Sequence, residues 1–358
     1  ERCFKSKASR TVMTEKNPLV EVKNLRVEIP TRKELLIALD NVNLEIYPGE
    51  ILGVVGESGA GKSMTGNAII GLLDHPAHVS AGEIWLDGKR VDNVSEKQRS
   101  EMRGKIVGAI FQDPLTSLNP LFTVGEQLVE TIVTHRSLSE KEAREEAIEL
   151  LKKTGIPAAE KRIDDYPHQF SGGMRQRVVI ALALAGEPKL VIADEPTTAL
   201  DVSIQAQIID LLKTLCKEKG TAVMLVSHDL GVIAEASDRV AIMYAGRLVE
   251  IGETKAIIHS PLHPYTSGLM GAIPKIGEDT EFLTQIPGHM PRLNEVPKGC
   301  AFHPRCPLAD EKCIGERPQM ESVNNVMVAC WKSRSEEIAK YRTQPYFIRK
   351  ELADAGRS

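Results

Sequence analysis

Residues 56–63 of this chain read Gly56-Glu57-Ser58-Gly59-Ala60-Gly61-Lys62-Ser63. They follow the apolar run 51–55, which predicts a buried strand, and they precede residues 64–73, which predict a helix. Glycines at such a junction let backbone N–H groups close around phosphates, and the helix N-terminus adds its positive end. Lys62 can then reach the β- and γ-phosphates of a nucleotide, and the Ser63 hydroxyl can hold Mg²⁺. The segment therefore predicts a phosphate-binding loop in an α/β fold, rather than a glycine-rich turn without a ligand.

An acidic pair ends a second apolar run. Leu190-Val191-Ile192-Ala193 is followed directly by Asp194 and Glu195. A buried strand that stops at two carboxylates is costly unless the carboxylates meet a cation. Asp194 suits Mg²⁺, and Glu195 suits the attacking water, as its general base or as its orienter. A structural pair of N-capping acids is the alternative, and the phosphate loop upstream argues against it.

Two more polar residues follow apolar strands. Gln112 ends the strand-like run 105–111, and His228 follows the run 222–226 and one serine. A lone histidine at a strand end is more often a structural residue. Because both residues are in register with the phosphate loop and the acidic pair, we predict that they sense the γ-phosphate. Gln112 is also a predicted Mg²⁺ ligand.

The composition limits the class of protein. The chain has 358 residues, of which 42% are apolar and 26% charged, as is ordinary for a soluble globular protein. Its 45 basic and 49 acidic residues give a net charge of −4, so nothing favours a nucleic-acid surface. No apolar stretch approaches the roughly 18 to 20 residues that span a bilayer. Any membrane role is therefore expected to come through a partner.

A signature segment lies between the phosphate loop and the acidic pair. It reads Phe170-Ser171-Gly172-Gly173-Met174-Arg175-Gln176. With Gln112, Ala199-Leu200-Asp201 and His228, these motifs stand in the order and approximate spacing of one family. Residues 19 to about 255 resemble the nucleotide-binding domain of an ABC transporter, whose subunits trap ATP between them.

The resemblance assigns roles to the signature. Ser171, Gly172 and Gly173 would contact the γ-phosphate held by the other subunit, and the serine would stand at the start of a helix. The glycines would allow close approach, with Met174 and Gln176 in the same nucleotide site. Asp201 would lie near the subunit boundary. One departure concerns adenine, because Ile29, followed by Pro30, stands where the family usually has a stacking aromatic residue.

The resemblance and the composition together predict the domains. The fold class is α/β, with a parallel-sheet ABC-type core, an antiparallel β subdomain and a helical insert at about 115–170. Beyond about residue 255 the chain is rich in proline and cysteine. We predict a disordered N-terminal extension at 1–18 with Met13 as the natural start, an ATPase domain at 19–255, a small C-terminal domain at 256–332 and a charged tail at 333–358.

Three segments resemble a narrower family, the ATPase subunits of bacterial oligopeptide, dipeptide and nickel importers. They are Phe111–Pro120, His263–Leu269 and the cysteine-containing tail. The resemblance implies a subunit that couples ATP hydrolysis to uptake of peptides or a related small solute. It also implies a second, homologous ATPase in a heterodimer, two permease subunits, a separate substrate-binding protein and a peripheral place on the cytoplasmic face of the bacterial inner membrane.

Two other classes of function fit an ABC-type ATPase. Some such ATPases act on nucleic acid or the ribosome without membrane partners, but those uses favour basic surfaces or long coiled-coil insertions, and this chain shows neither. A regulatory module could keep the fold without hydrolysis, but the catalytic residues are intact here. If the chain serves an importer, the sequence does not show which cargo is carried. Dipeptides, longer peptides, glutathione-like peptides and nickel chelates all remain open.

Four of the six cysteines lie close together in sequence, at Cys300, Cys306, Cys313 and Cys330. Disulfides are not expected, because an ATP-consuming subunit faces the reducing cytoplasm. Unrelated buried cysteines are one alternative. A zinc site is another, but zinc sites usually include a close Cys-x-x-Cys pair, absent here.

The longer, uneven spacings suit a [4Fe–4S] cluster. The tail of the peptide-importer ATPases, which 299–307 and 329–331 resemble, also points to that cluster. We therefore predict a [4Fe–4S] cluster on the four cysteines, with Zn²⁺ as the alternative, and with Cys3 and Cys216 outside the site. Its distance in sequence from every ATP residue predicts a structural or docking role rather than a part in hydrolysis.

Overall fold

The computed structural model describes residues 17–197, 202–272 and 286–338, without the side chains of Pro114 and Leu115. The predicted start at Met13, Cys3, the Ala199-Leu200-Asp201 segment and most of the predicted charged tail lie outside the described residues.

Strands and helices are numbered in chain order. The strands are β1 (Val20–Pro30), β2 (Leu35–Ile46), β3 (Ile51–Val55), β4 (His78–Leu86), β5 (Lys89–Arg90), β6 (Val107–Ile110), β7 (Leu190–Asp194), β8 (Ala222–Val226), β9 (Arg239–Tyr244), β10 (Arg247–Glu253), β11 (Glu321–Val323) and β12 (Val326–Val328). The helices are α1 (Lys62–Ile70), α2 (Glu96–Met102), α3 (Pro114–Ser117), α4 (Val124–His135), α5 (Glu140–Lys153), α6 (Ala159–Arg162), α7 (Gly172–Ala185), α8 (Val202–Lys219), α9 (Leu230–Ala236), α10 (Thr254–His259), α11 (Pro264–Gly271) and α12 (Glu311–Gly315).

The larger sheet has the strand order β11-β12-β10-β9-β3-β8-β7-β6. Its centre is parallel, because β3 pairs with β8 and β9, and β7 pairs with β6 and β8. β3 and β8 are buried at every residue, as expected for strands covered on both faces. The carboxyl ends of β3, β6, β7 and β8 therefore share one edge, where ligands bind in open parallel sheets.

A second, antiparallel sheet has the order β2-β1-β4-β5. Its β4–β5 hairpin turns at Asp87 and Gly88, both with positive φ. The parallel core and the antiparallel subdomain confirm the predicted fold class.

The predicted helical insert contains α3 to α6. α4 and α5 begin with capping boxes, in which Thr123 and Ser139 exchange hydrogen bonds with Glu126 and Glu142. Each helix buries one apolar face, and both pack against α7. A rigid helical unit therefore joins the signature helix to the segment that follows Gln112.

The C-terminal segment completes the larger sheet. β12 pairs antiparallel with β10, and β11 pairs with β12 across a turn at Asn324 and Asn325. Val326 and Val328 are buried in the main core. The structure therefore does not confirm a separate C-terminal domain, since these strands extend the ATPase sheet.

Candidate active site

The phosphate loop joins β3 to α1 in the predicted place. A Cβ at Gly56 would lie 2.4 Å from the Met243 carbonyl oxygen, and one at Gly61, whose φ is 103°, would lie 2.7 Å from the Leu39 side chain. Both positions therefore require glycine. The Lys62 ammonium is buried and donates to the carbonyl oxygens of Gly56 (2.8 Å) and Glu57 (3.1 Å). Lys62 thus lies folded along the inside of the loop.

Burial lowers the pKa of Lys62, and the carboxylates of Glu195 and Asp194 oppose that shift. The negative charges at the end of β7 therefore keep a cation at the loop. Phosphate oxygens would face this cation and the first backbone N–H groups of α1.

The surroundings of Asp194 show whether this site fits a Mg²⁺ ion. The Ser63 hydroxyl donates to its carboxylate, while its Oδ1 is buried without a hydrogen-bond partner among the described residues. Burial raises the pKa of Asp194, which marks a carboxylate short of counter-charge. A hydroxyl beside an unpartnered carboxylate oxygen fits a hard cation that prefers oxygen ligands.

Glu195 lies where three strand ends meet. Its φ of 49° places it in the left-handed region, which is uncommon for a side chain other than glycine. Its Oε2 accepts a hydrogen bond from Gln112 Nε2 (2.9 Å), and its Oε1 lies 3.1 Å from His228 Nδ1. The structure thus brings together the three residues that sequence reasoning placed at separate strands.

The signature segment begins α7. Ser171 caps the helix, and its Oγ accepts a hydrogen bond from the Met174 N–H (3.4 Å). Ser171 and Gly172 are exposed, and nothing described lies within 4 Å of a Cβ placed on Gly172. The helix start therefore presents backbone N–H groups and a hydroxyl to an incoming anion.

Other predicted nucleotide residues have different surroundings. Gln176 is buried, and its amide atoms have no hydrogen-bond partner in the described part of the chain. Met174 packs against the core at half-burial. Ile29 pairs with Leu36 on the neighbouring strand. The nucleotide roles of these residues stay predictions, as does that of Asp201, which lies outside the described residues.

Two residues beside the loop were missed by sequence reasoning. The N–H of Glu57 donates to Tyr265 Oη (2.9 Å), and both Glu57 carboxylate oxygens lie 3.0 Å from Arg305 Nη1. Sequence reasoning included Tyr265 only within the family-like segment His263–Leu269 and Arg305 only within the family-like segment 299–307. No periodicity connects residues about 200 positions apart, so the sequence offered no signal for this contact.

The four clustered cysteines are free thiols. Burial raises the pKa of Cys306 and of Cys330 to about 12, and the charges of the other cysteines in the group add to both shifts. The four thiols are therefore close enough to interact electrostatically. Within 17–197, 202–272 and 286–338, however, no three His, Cys, Asp or Glu side chains are placed to hold a metal ion. Cys216 lies apart, buried in α8.

A phosphate loop and an acidic pair lie at one edge of the sheet, and a signature serine begins α7. Together these features define an ATP-binding cassette. The family described as "ABC transporter" matches residues 39–198, and the family described as "Oligopeptide/dipeptide transporter, C-terminal region" matches residues 249–313. The chain therefore belongs to the ATP-binding subunits of ABC transporters, in the group that carries this C-terminal region. The predicted family and the predicted class of enzyme, an ABC-type ATPase, are confirmed.

Two relatives and one structure illustrate the similarity. The chain is 46% identical over 302 residues to the dipeptide transport ATP-binding protein DppD of Escherichia coli (strain K12). The aligned residues cover 84% of this chain and 92% of that protein. It is 46% identical over 303 residues to the oligopeptide transport ATP-binding protein AppD of Bacillus subtilis (strain 168), with the same two coverages of 84% and 92%. The dimeric structure of a post-hydrolysis state of the ATP-binding cassette MJ0796 bound to ADP and Pi matches with a TM-score of 0.60 and 32% identity, over 66% of this chain and 98% of that one.

Across the described ranges, no helix combines the length and the apolar character needed to cross a membrane.

Proposed function

We propose that this chain is the ATP-hydrolysing subunit of an importer for dipeptides or oligopeptides. The observation that carries the proposal is the contact of Gln112 with Glu195, because Gln112 directly follows Phe111, which lines an apolar cleft. Similarity to dipeptide and oligopeptide transport ATP-binding proteins supports the choice of cargo.

The residues at the carboxyl ends of β3, β6, β7 and β8 would each have a separate role in ATP hydrolysis. Lys62 and the N–H groups of α1 bind the β- and γ-phosphates, and Ser63 and Asp194 would hold Mg²⁺, with Gln112 beside them. Mg²⁺ would neutralise charge that develops on the phosphate oxygens. Glu195 orients or deprotonates the attacking water, and His228 and Gln112 hold the Glu195 carboxylate in place.

The cleft beside Gln112 suits a membrane partner. It has a volume of about 460 Å³ and lies between the core and the helical insert, where its walls include Ile70, Phe111 and Leu182. Two of the residues that line it, Leu72 and Phe111, are 38% and 41% exposed, and Phe111 is next to Gln112 in the chain. Exposed apolar residues grouped at one place favour a protein contact. A permease segment seated there would move when Gln112 follows the γ-phosphate.

The proposed assembly follows from having one loop and one signature per chain. Two ATPase subunits are needed to place a signature against each loop, and we propose a homologous, distinct ATPase as the second. Two permeases and a separate substrate-binding protein complete the importer, with this chain on the cytoplasmic face of the bacterial inner membrane. The dimeric state of the similar cassette supports pairing.

Reconstitution tests the assembly and the cargo. We expect the isolated chain to be mostly monomeric and to hydrolyse ATP slowly, because each half-site lacks its signature. With the second ATPase, the two permeases and the binding protein in vesicles, labelled dipeptide or oligopeptide should accumulate only with ATP. Fast, cooperative hydrolysis by the isolated chain would favour a homodimer, and absence of ATP-driven peptide accumulation would refute the proposed cargo.

We also propose that Cys300, Cys306, Cys313 and Cys330 hold a [4Fe–4S] cluster. Their mutual electrostatic interaction and burial support a common ligand. A cluster bonds each thiolate to a different iron, so its sulfurs stand farther apart than sulfurs around one ion. The longer, uneven spacings of the four cysteines, without a Cys-x-x-Cys pair, favour the cluster over Zn²⁺.

Iron content tests the cluster. Protein purified without oxygen should be brown and carry about four iron atoms per chain. Cys306→Ser should lose the colour and the iron, because a cluster ligand is removed. Cys216→Ser is the matched control, since Cys216 is also buried but lies in α8, and it should keep both. Colourless wild-type protein with about one zinc per chain would exclude the cluster.

A further inference from the structure

Among the described residues, the hydrogen bonds between the phosphate loop and the C-terminal segment, 264–272 and 286–338, all involve Glu57. The N–H of Glu57 donates to Tyr265 Oη, its carboxylate pairs with Arg305, and its carbonyl oxygen accepts from Lys62. The C-terminal segment therefore holds the N–H and the carboxylate of Glu57, and Lys62 holds its carbonyl oxygen.

Arg305 is itself fixed in place. Its side chain is only 7% exposed, and it donates to the carbonyl oxygens of Pro287 (2.8 Å) and Ile286 (3.4 Å). Its guanidinium lies 5.8 Å from the ring centre of Tyr244 and 5.9 Å from that of Phe302. A guanidinium restrained by carbonyls and rings cannot follow Glu57, so Glu57 must stay with it.

Tyr265 is equally restrained. It is fully buried, and its ring packs against Tyr244 and Phe302 at centroid distances of 4.7 and 5.3 Å. His263 caps α11 by accepting the Tyr265 N–H, and burial lowers the pKa of His263 to about 3, so the ring stays neutral and able to accept. The acceptor for the Glu57 N–H is thus held at a set position.

We propose that Arg305 and Tyr265 are positioning residues for the phosphate loop, and that the C-terminal segment sets ATP affinity through Glu57. The loop's carbonyl at Glu57 is one of the two that Lys62 contacts. A displaced Glu57 therefore displaces the loop backbone and the lysine that bind phosphate.

The inference rests on ATP binding at the phosphate loop and needs neither the cargo nor the cluster. Arg305→Ala should weaken ATP binding by about tenfold, which corresponds to about 1.4 kcal/mol. The turnover number of the assembled transporter at saturating ATP should stay unchanged, because no reacting group is lost. A rise in KM without a fall in kcat separates positioning from general damage.

Arg317→Ala is the matched control. Arg317 lies in the same segment and donates to two carbonyl oxygens, but it pairs with Asp40, which keeps Arg247 and Arg26 as partners. We expect this variant to bind ATP as the wild type does. Equal weakening in Arg305→Ala and Arg317→Ala would overturn the proposal, as would normal ATP binding by Arg305→Ala.

Two milder variants keep the test decisive if Arg305→Ala does not fold. Tyr265→Phe retains the ring and removes only the acceptor for the Glu57 N–H, and Glu57→Gln removes only the charge. Both should weaken ATP binding, and Glu57→Gln combined with Arg305→Ala should lose no more than either alone. Additive losses would show that the two side chains act separately, against the proposal.

Discussion

Glu195→Gln is expected to stop turnover and leave ATP binding intact. The glutamine keeps the shape of the side chain, so it can still accept from Gln112 and lie against His228. It loses the negative charge that orients or deprotonates water. General-base catalysis contributes about 10²- to 10⁴-fold to a rate, and we expect a loss of that order in kcat. The measurement is ATP hydrolysis by the assembled transporter, beside the ATP dissociation constant of the chain.

Glu235→Gln is the matched control for this substitution. Glu235 is 66% exposed and lies 3.4 Å from Lys213, where only a weak surface pair is lost. This variant should hydrolyse ATP at the wild-type rate. If Glu195→Gln also hydrolyses at that rate, the assignment of Glu195 is wrong.

Local patterns predict the centre of the fold. β3 and β8 are short apolar runs, and β7 is apolar up to Asp194, as is typical of strands that are covered on both faces of a sheet. Since parallel strands share their carboxyl ends, Gln112, Glu195 and His228 had to meet at one edge. Their proximity could therefore be predicted before any distance was known.

The edge of the sheet could not be predicted in this way. β11 and β12 have three residues each, and the residues of β10 that pair with β12 lie 76 and 78 positions earlier in the chain, Ile251 with Met327 and Glu250 with Val328. A three-residue run carries too little periodicity to mark a strand. Its pairing is decided by tertiary packing, here the burial of Val326 and Val328 against the main core.

The contact of Glu57 with Arg305 shows a second limit. The two residues are 248 positions apart, and each reads locally as an ordinary charged residue. Tertiary packing against Tyr244 and Phe302, together with hydrogen bonds to the carbonyl oxygens of Pro287 and Ile286, places the guanidinium at the loop. Gln176 is a different case, because the signature predicts a nucleotide contact, the helix buries the side chain, and the nucleotide role stays a prediction.

Lys62→Ala is expected to weaken ATP binding rather than to slow the hydrolysis of bound ATP. The ammonium is the buried cation of the phosphate loop, and hydrogen bonds from a charged donor contribute about 1.5 to 3 kcal/mol each. Loss of the lysine should therefore raise the ATP dissociation constant by about one to two orders of magnitude. Titration with a labelled ATP analogue measures this change.

Lys62→Met separates charge from packing. Methionine keeps an apolar stem along the inside of the loop and removes the ammonium that donates to Gly56 and Glu57. We expect it to bind ATP as weakly as Lys62→Ala. Lys213→Ala, on the outer side of α8, is the control and should bind as the wild type does. Tight ATP binding by Lys62→Met would show that the stem, and not the charge, carries the affinity, because the fold is then intact and only the ammonium is gone.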